Sequence, residues 1–171
     1  MIKRSLHNVV VITFCAIVAI SLVALVPSTL NYLEFWVALS HLSLNVESFN
    51  WSKVFFEGYE RINMSADILL VQNSSYVGLK LHSVDVRIEY GEQFRYLYEK
   101  RYWFFEKFLD PYSTLDLPVF NETSFAAEDF VRLREQGEPV QLYFSTSVNV
   151  YLLGQSTADR VYLDLASYTL R

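Results

Sequence analysis

Apolar and polar residues alternate most clearly over Ala66–Tyr90, ADILLVQNSSYVGLKLHSVDVRIEY. From Ile62 to Gln72, Ile62, Met64, Ala66, Ile68 and Leu70 share one parity, and Asn63, Ser65 and Asp67 share the other. A period of two places one set on a buried sheet face and the other in water, so the stretch predicts a strand. The polar turn Asn73-Ser74-Ser75 follows. Beyond it, Leu79 and Leu81 keep one parity while Val84, Val86, Ile88 and Tyr90 keep the other. A strand cannot change parity without an extra residue, so the pattern predicts a β-bulge near His82-Ser83.

The same reading extends in both directions. Leu42, Leu44 and Val46 begin a first strand. Gly91-Glu92 reads as a turn, and Phe94, Tyr96, Tyr98, Tyr102 and Phe104 line another strand. Asp110-Pro111 breaks the chain, and Thr114–Phe120 is a short strand. Ser124 is placed to cap a helix over Ala126–Gln136, with Glu128 and Asp129 in its first turn and Gly137 as its stop. Val140, Leu142, Phe144, Val148 and Val150 line one closing strand. Gly154–Asp159 turns, and Val161, Leu163 and Leu165 line the last strand, with Tyr162 and Tyr168 opposite. About seven strands with turn signals between them predict an all-β fold, an antiparallel sandwich.

The first residues follow a different pattern. Val9–Val26, VVVITFCAIVAISLVALV, runs 18 residues without a charge after Lys3 and Arg4. That length suits a transmembrane helix. The rival is a cleaved signal peptide, whose apolar region is usually about 7–15 residues; Ala19-Ile20-Ser21 offers a tolerable cleavage site. Lys3 and Arg4 favour a cytoplasmic N-terminus. The expected organisation is a tail over 1–8, a membrane helix over 9–26, a helical connector over 27–40 and a sandwich over 41–171. That sandwich would lie outside the cell or in a lumen.

Charge and composition narrow the function. Setting aside Lys3 and Arg4, twelve basic residues face 19 acidic ones, a net of −7, which argues against a nucleic-acid partner. The one cysteine, Cys15, lies in the apolar run, so no intrachain disulfide forms and no zinc-binding Cys/His spacing exists. His41 and His82 have no catalytic partner at a recognisable spacing, and no nucleophile elbow or phosphate loop is present. Asp85, Glu89 and Glu92 offer too few ligands in one loop for calcium. Cations and rings interleave from Arg95 to Phe108, which suggests core aromatics with charges outside, or an apolar patch at Trp103–Phe108 that touches lipid or a neighbouring subunit. Four sequons, at Asn50, Asn63, Asn73 and Asn121, are glycosylation candidates if the domain is external.

Asp67–Asn73 (DILLVQN) and Leu79–Tyr90 (LKLHSVDVRIEY), with Asp110-Pro111-Tyr112-Ser113 and the closing strands Val140–Leu153 and Arg160–Leu170, resemble the late-embryogenesis-abundant type 2 domain over roughly residues 40–170. That family usually has Asn-Pro where this chain has Asn73-Ser74. The resemblance implies an immunoglobulin-like sandwich with no catalytic residues, cofactor or metal. The expectation is a non-enzymatic, single-pass interaction or structural protein, with the bilayer as one partner. The alternatives are a lipid or apolar-ligand domain with a pocket near Tyr96–Phe108, or a subunit of a surface filament or membrane complex.

Overall fold

The computed structural model of the protein describes residues 2–56, 58–74, 78–124, 128–151 and 158–170, with side chains throughout except at 2–9, 24, 27, 28, 56, 106, 121, 122 and 124. A long helix, α1 (Ile2–Ser40), leads into the strands β1 (Leu42–Phe56), β2 (Tyr59–Gln72), β3 (Leu79–Tyr90), β4 (Arg95–Leu109), β5 (Thr114–Asp116) and β6 (Val119–Ser124). A short helix, α2 (Glu128–Glu135), precedes β7 (Val140–Tyr151), β8 (Ala158–Tyr162) and β9 (Ala166–Leu170).

All the pairings are antiparallel and form two sheets. In the first, β2 is central, with β1 on one side and β5 and β6 in succession on the other. In the second, the order is β4-β3-β7, with β8 and β9 in succession along β7. The expected single strand over Thr114–Phe120 is therefore two. Pro118 separates them, having no N–H to give to a ladder, while the Leu117 N–H still reaches the Ile68 carbonyl at 2.8 Å. Counting each interrupted pair once gives seven strand positions among the described residues, three in one sheet and four in the other.

The expected bulge is present. The register of β3 shifts between Leu81 and Ser83 against both β4 and β7. Leu79, Leu81, Val84, Val86 and Ile88 are all fully buried, so both halves of β3 show their apolar side to the core. β1 makes the same adjustment between Val46 and Ser48, which keeps Leu44 and Phe49 buried.

Two other parities differ from expectation. In β4 the register shifts again between Ile88 and Glu89, and Leu97 becomes the buried residue while Phe94 and Tyr96 are exposed. In the last strand, the break between Tyr162 and Ala166 resets the parity. Tyr168 packs against the core and Leu165 is exposed, the reverse of a continuous alternation.

Each end of the sandwich is closed by a helix. Phe130 of α2 is fully buried and meets Trp51 and Tyr90 edge-on, with ring centroids 5.3 and 5.5 Å away. Gly137, at φ 75°, ends this helix as expected, with its N–H on the Arg134 carbonyl. The expected cap is not one: Ser124 is the last residue of β6, opposite Ile62, and the helix begins only at Glu128, with residues 125–127 between them outside the described residues. At the other end, Phe35, Ala38 and Leu39 of α1 are buried in the same core as the sheets. That end is tied by the Asn73 N–H to the His41 carbonyl at 3.2 Å and the Tyr112 N–H to the Ser74 carbonyl at 3.2 Å.

Among the described residues no helix is long and apolar enough to cross a membrane.

Burial of Leu39 makes the last turns of α1 part of the domain. Leu39→Ala is expected to destabilise it by about 2–4 kcal/mol in urea unfolding followed in mild detergent. A loss below about 0.5 kcal/mol would show that the helix end only leans on the sheets.

Candidate interaction surface

The bulge at His82 turns Ser83, Asp85, Arg87 and Glu89 to the outside of the four-position sheet. Register then decides what they meet. Asp85 lies opposite Arg101 on β4 and Ser147 on β7, and Ser147 lies opposite Tyr162 on β8.

Asp85 is the centre of this face, with its side chain only 10% exposed. The Arg101 guanidinium grips it with two parallel bonds, Nε to Oδ1 and Nη2 to Oδ2, the latter at 2.8 Å. Arg160 adds Nη2 at 3.2 Å and Ser147 its hydroxyl at 3.3 Å, both to Oδ2. Asn149 extends the network, donating to Ser83 Oγ at 2.8 Å and accepting from Arg160 Nε at 3.4 Å. The Arg101 hydrogen bonds hold the Asp85 carboxyl below the usual carboxylate range, against the opposing effect of burial. The same contact raises Arg101. A groove of about 280 Å³ lies over the network and includes Arg87, Glu99 and Tyr162 in its walls.

This arrangement is a lock across four strands rather than a reaction centre. An ionised carboxylate held by two guanidiniums is a poor general base. Ser147 points its hydroxyl at that carboxylate and is not activated as a nucleophile. What the face offers a partner is shape, two half-exposed arginines and rings stacked on cations, Arg101 over Trp103 and Arg87 over Tyr96.

The face continues toward the α1 end as a row of rings. His82 stands edge-on to Trp103 and Tyr151, with its Nδ1 2.8 Å from the Tyr151 hydroxyl. Lys80 lies over the Tyr151 and Phe108 rings. Within the Tyr96–Phe108 run, Tyr98, Tyr102 and Phe104 turn inward against the core, and the Tyr102 hydroxyl donates to the Leu117 and Pro118 carbonyls. Trp103, Phe105 and Phe108 face out.

The histidines do not meet. His41 closes the last turn of α1 through Nδ1 to the Val37 carbonyl at 2.8 Å. Glu89 turns to Arg87 at 2.9 Å and does not converge with Asp85. Among the described residues no group of three or more His, Cys, Asp or Glu could hold a metal ion.

Two of the sequons, at Asn50 and Asn63, lie elsewhere, on the outer face of the three-position sheet, while Asn73 follows β2 in the turn at the α1 end. Asn50 lies opposite Ser65, Ser52 opposite Asn63, and Asn63 also opposite Thr123. Asn50 and Asn73 are exposed. Asn63 is half-buried, with its Oδ1 buried and unpartnered among the described residues. The side chain of Asn121 lies outside the described residues.

Arg101, Ser147 and Arg160 were not legible as a set, because they stand 16, 62 and 75 residues from Asp85. The only local sign is a charged residue at Asp85 between apolar neighbours in a strand.

No protein-family model and no curated protein matches this chain. Solved structures similar to it include the following two. One is Northeast Structural Genomics Consortium target SoR45, with a TM-score of 0.48 and 9% identity over 78% of this chain and 89% of the other. The second is a protein from Archaeoglobus fulgidus, with a TM-score of 0.37 and 12% identity over 74% and 98%. Likenesses of this degree carry no argument about what the chain does.

Because the Asp85 carboxyl titrates below its unfolded value, its contribution is present above that value and fades as pH falls through the folded one. Asp85→Asn is expected to cost about 1–3 kcal/mol at pH 7. That difference from wild type should shrink below about pH 4, as read by urea unfolding across pH. A cost that does not change with pH would mean that shape, and not charge, is what Asp85 supplies.

Proposed function

We propose that the protein is a membrane-anchored, non-enzymatic interaction protein whose immunoglobulin-like sandwich stands on the external or lumenal side. The observation that carries this reading is the surface of α1. Val10, Val11 and Ile12 are all exposed, as are Ile17, Val18, Ile20, Leu22, Val23, Leu25 and Val26. Neighbours in a helix point about 100° apart, so these side chains face every direction and no part of the domain covers them. A helix that is apolar all round belongs in a core or in a bilayer. Each such side chain gains about 1.5–3 kcal/mol on leaving water. The uncharged run Val9–Val26 is 18 residues long, or about 27 Å of helix, against a hydrocarbon core of about 30 Å. Lys3 and Arg4 before it favour a cytoplasmic N-terminus and an external domain.

The three-over-four strand arrangement and the resemblance to the type 2 domain support the immunoglobulin-like reading. The Asp85 face, with its half-exposed arginines and stacked rings, is the recognition surface we favour. A lipid carrier with a pocket between the sheets finds less support. Leu81, Val84, Val86, Phe144, Val148 and Val150 are 0% exposed, so no water-sized space touches them.

Alkaline washing of membranes from expressing cells tests the anchor. Wild type is expected to stay with the membrane pellet. Ile17→Arg with Val18→Arg puts two charges at the centre of the span, each costing about 2.5–3.5 kcal/mol, and is expected to move most of the protein to the wash. A wild type released by alkali would refute the anchor.

A further inference from the structure

The end of the sandwich that receives α1 carries exposed rings that the fold does not use. Phe108 sits opposite Lys80 at the start of β3 and is 57% exposed. Tyr112, in the loop after β4, is 72% exposed and has φ 51°, in the left-handed region that favours glycine. Neither the backbone nor core packing selects a tyrosine there. Phe105, on the part of β4 where the register with β3 slips, is 97% exposed. Lys80 lies over the Phe108 ring, Lys107 is exposed next to it in β4, and Tyr32 and Trp36 are exposed on α1 on either side of the buried Phe35.

We propose that this end rests on the lipid surface of the bilayer crossed by α1, with Phe108 and Tyr112 among the headgroups and Lys80 and Lys107 toward the lipid phosphates. The inference rests on the anchor reading above. The length of the helix supports it. Phe35 already lies in the domain core, nine residues after Val26, which is about 13 Å of helix. The headgroup layer takes about 5–8 Å of that distance. A typical tilt of about 20° shortens it further. The gap that remains is about the reach of one aromatic side chain. Rings that are apolar in body favour the interfacial zone, and lysines reach outward from it.

Spin labelling of the full chain tests this. In a Cys15→Ser background, single labels are placed by Val18→Cys in the span, Asp110→Cys between the two rings, and Phe120→Cys on the sequon-bearing face, where Phe120 is exposed. The protein is reconstituted at low density in phosphatidylcholine vesicles. Collisions with oxygen, which enters lipid, are compared with collisions with a water-soluble nickel chelate. The expected result is a label at 18 shielded from nickel, one at 120 open to it, and one at 110 several-fold less open than 120. Phe108→Ser with Tyr112→Ser should raise the nickel collision rate at 110 to that at 120. With 18 shielded, a label at 110 as open as 120 would leave the anchor standing and overturn the seat. Dipolar broadening at 110 would assign the face to a second copy and overturn it too. A label at 18 open to nickel would remove the anchor and the seat together.

Discussion

The strict alternation of a β-strand is the constraint on which this domain depends. β3 is an inner strand of the larger sheet and pairs on both sides, so its apolar residues must all reach one core. Its two halves carry opposite parities, and only the slip at His82 reconciles them. The slip also decides the outer face. It brings Asp85 level with Arg101 and Ser147, close enough for a guanidinium, a hydroxyl and the Arg160 side chain to meet on one carboxylate. Without the extra residue, Asp85 would turn toward the core, and an unpaired buried charge is far costlier than the partnered one. The bulge thus fixes the core and the polar lock by one local choice.

The two faces and the two ends differ in character. One outer face carries asparagine, serine and threonine in cross-strand pairs. The other carries arginines, rings and the Asp85 lock. Of the ends, one is sealed by Phe130 of α2. The other is sealed by the last turns of α1, whose exposed apolar surface begins where the domain stops. The side chains that anchor α1 in the domain and those that leave it bare lie within a few residues of each other. Any motion of the helix relative to the sandwich must therefore disturb Phe35, Ala38 and Leu39.

Much of the fold was legible because period-two patterns report burial directly. The strand cores, the turn at Gly91, the bulge and the stop at Gly137 all follow from residues close in sequence. The misplaced parities share a cause. Leu97 sits in a register shift and Tyr168 beyond a strand break, neither of which an apolar pattern marks, since the neighbouring aromatics fit either face. The Asp85 lock was illegible for another reason, because its members come together only through the pairing of four strands. The sequons carry a caution of the same kind. A strand places residues i and i+2 on one face, so a polar face rich in asparagine and serine generates Asn-x-Ser spacings by geometry alone. Asn50, Ser52, Asn63 and Ser65 form one such patch.

The account stands or falls on whether the bare surface of α1 is covered by lipid. The native chain supplies a reporter, since Cys15 is its one cysteine and lies on that surface, exposed by the protein itself. The direct measurement is labelling of the full chain in sealed vesicles with a membrane-impermeant maleimide, before and after denaturation in detergent. The account predicts that Cys15 resists the reagent until the membrane is dissolved, while a thiol introduced by Phe120→Cys in a Cys15→Ser chain reacts from the side on which the domain lies. A Cys15 that reacts in intact vesicles as readily as that surface thiol would contradict it.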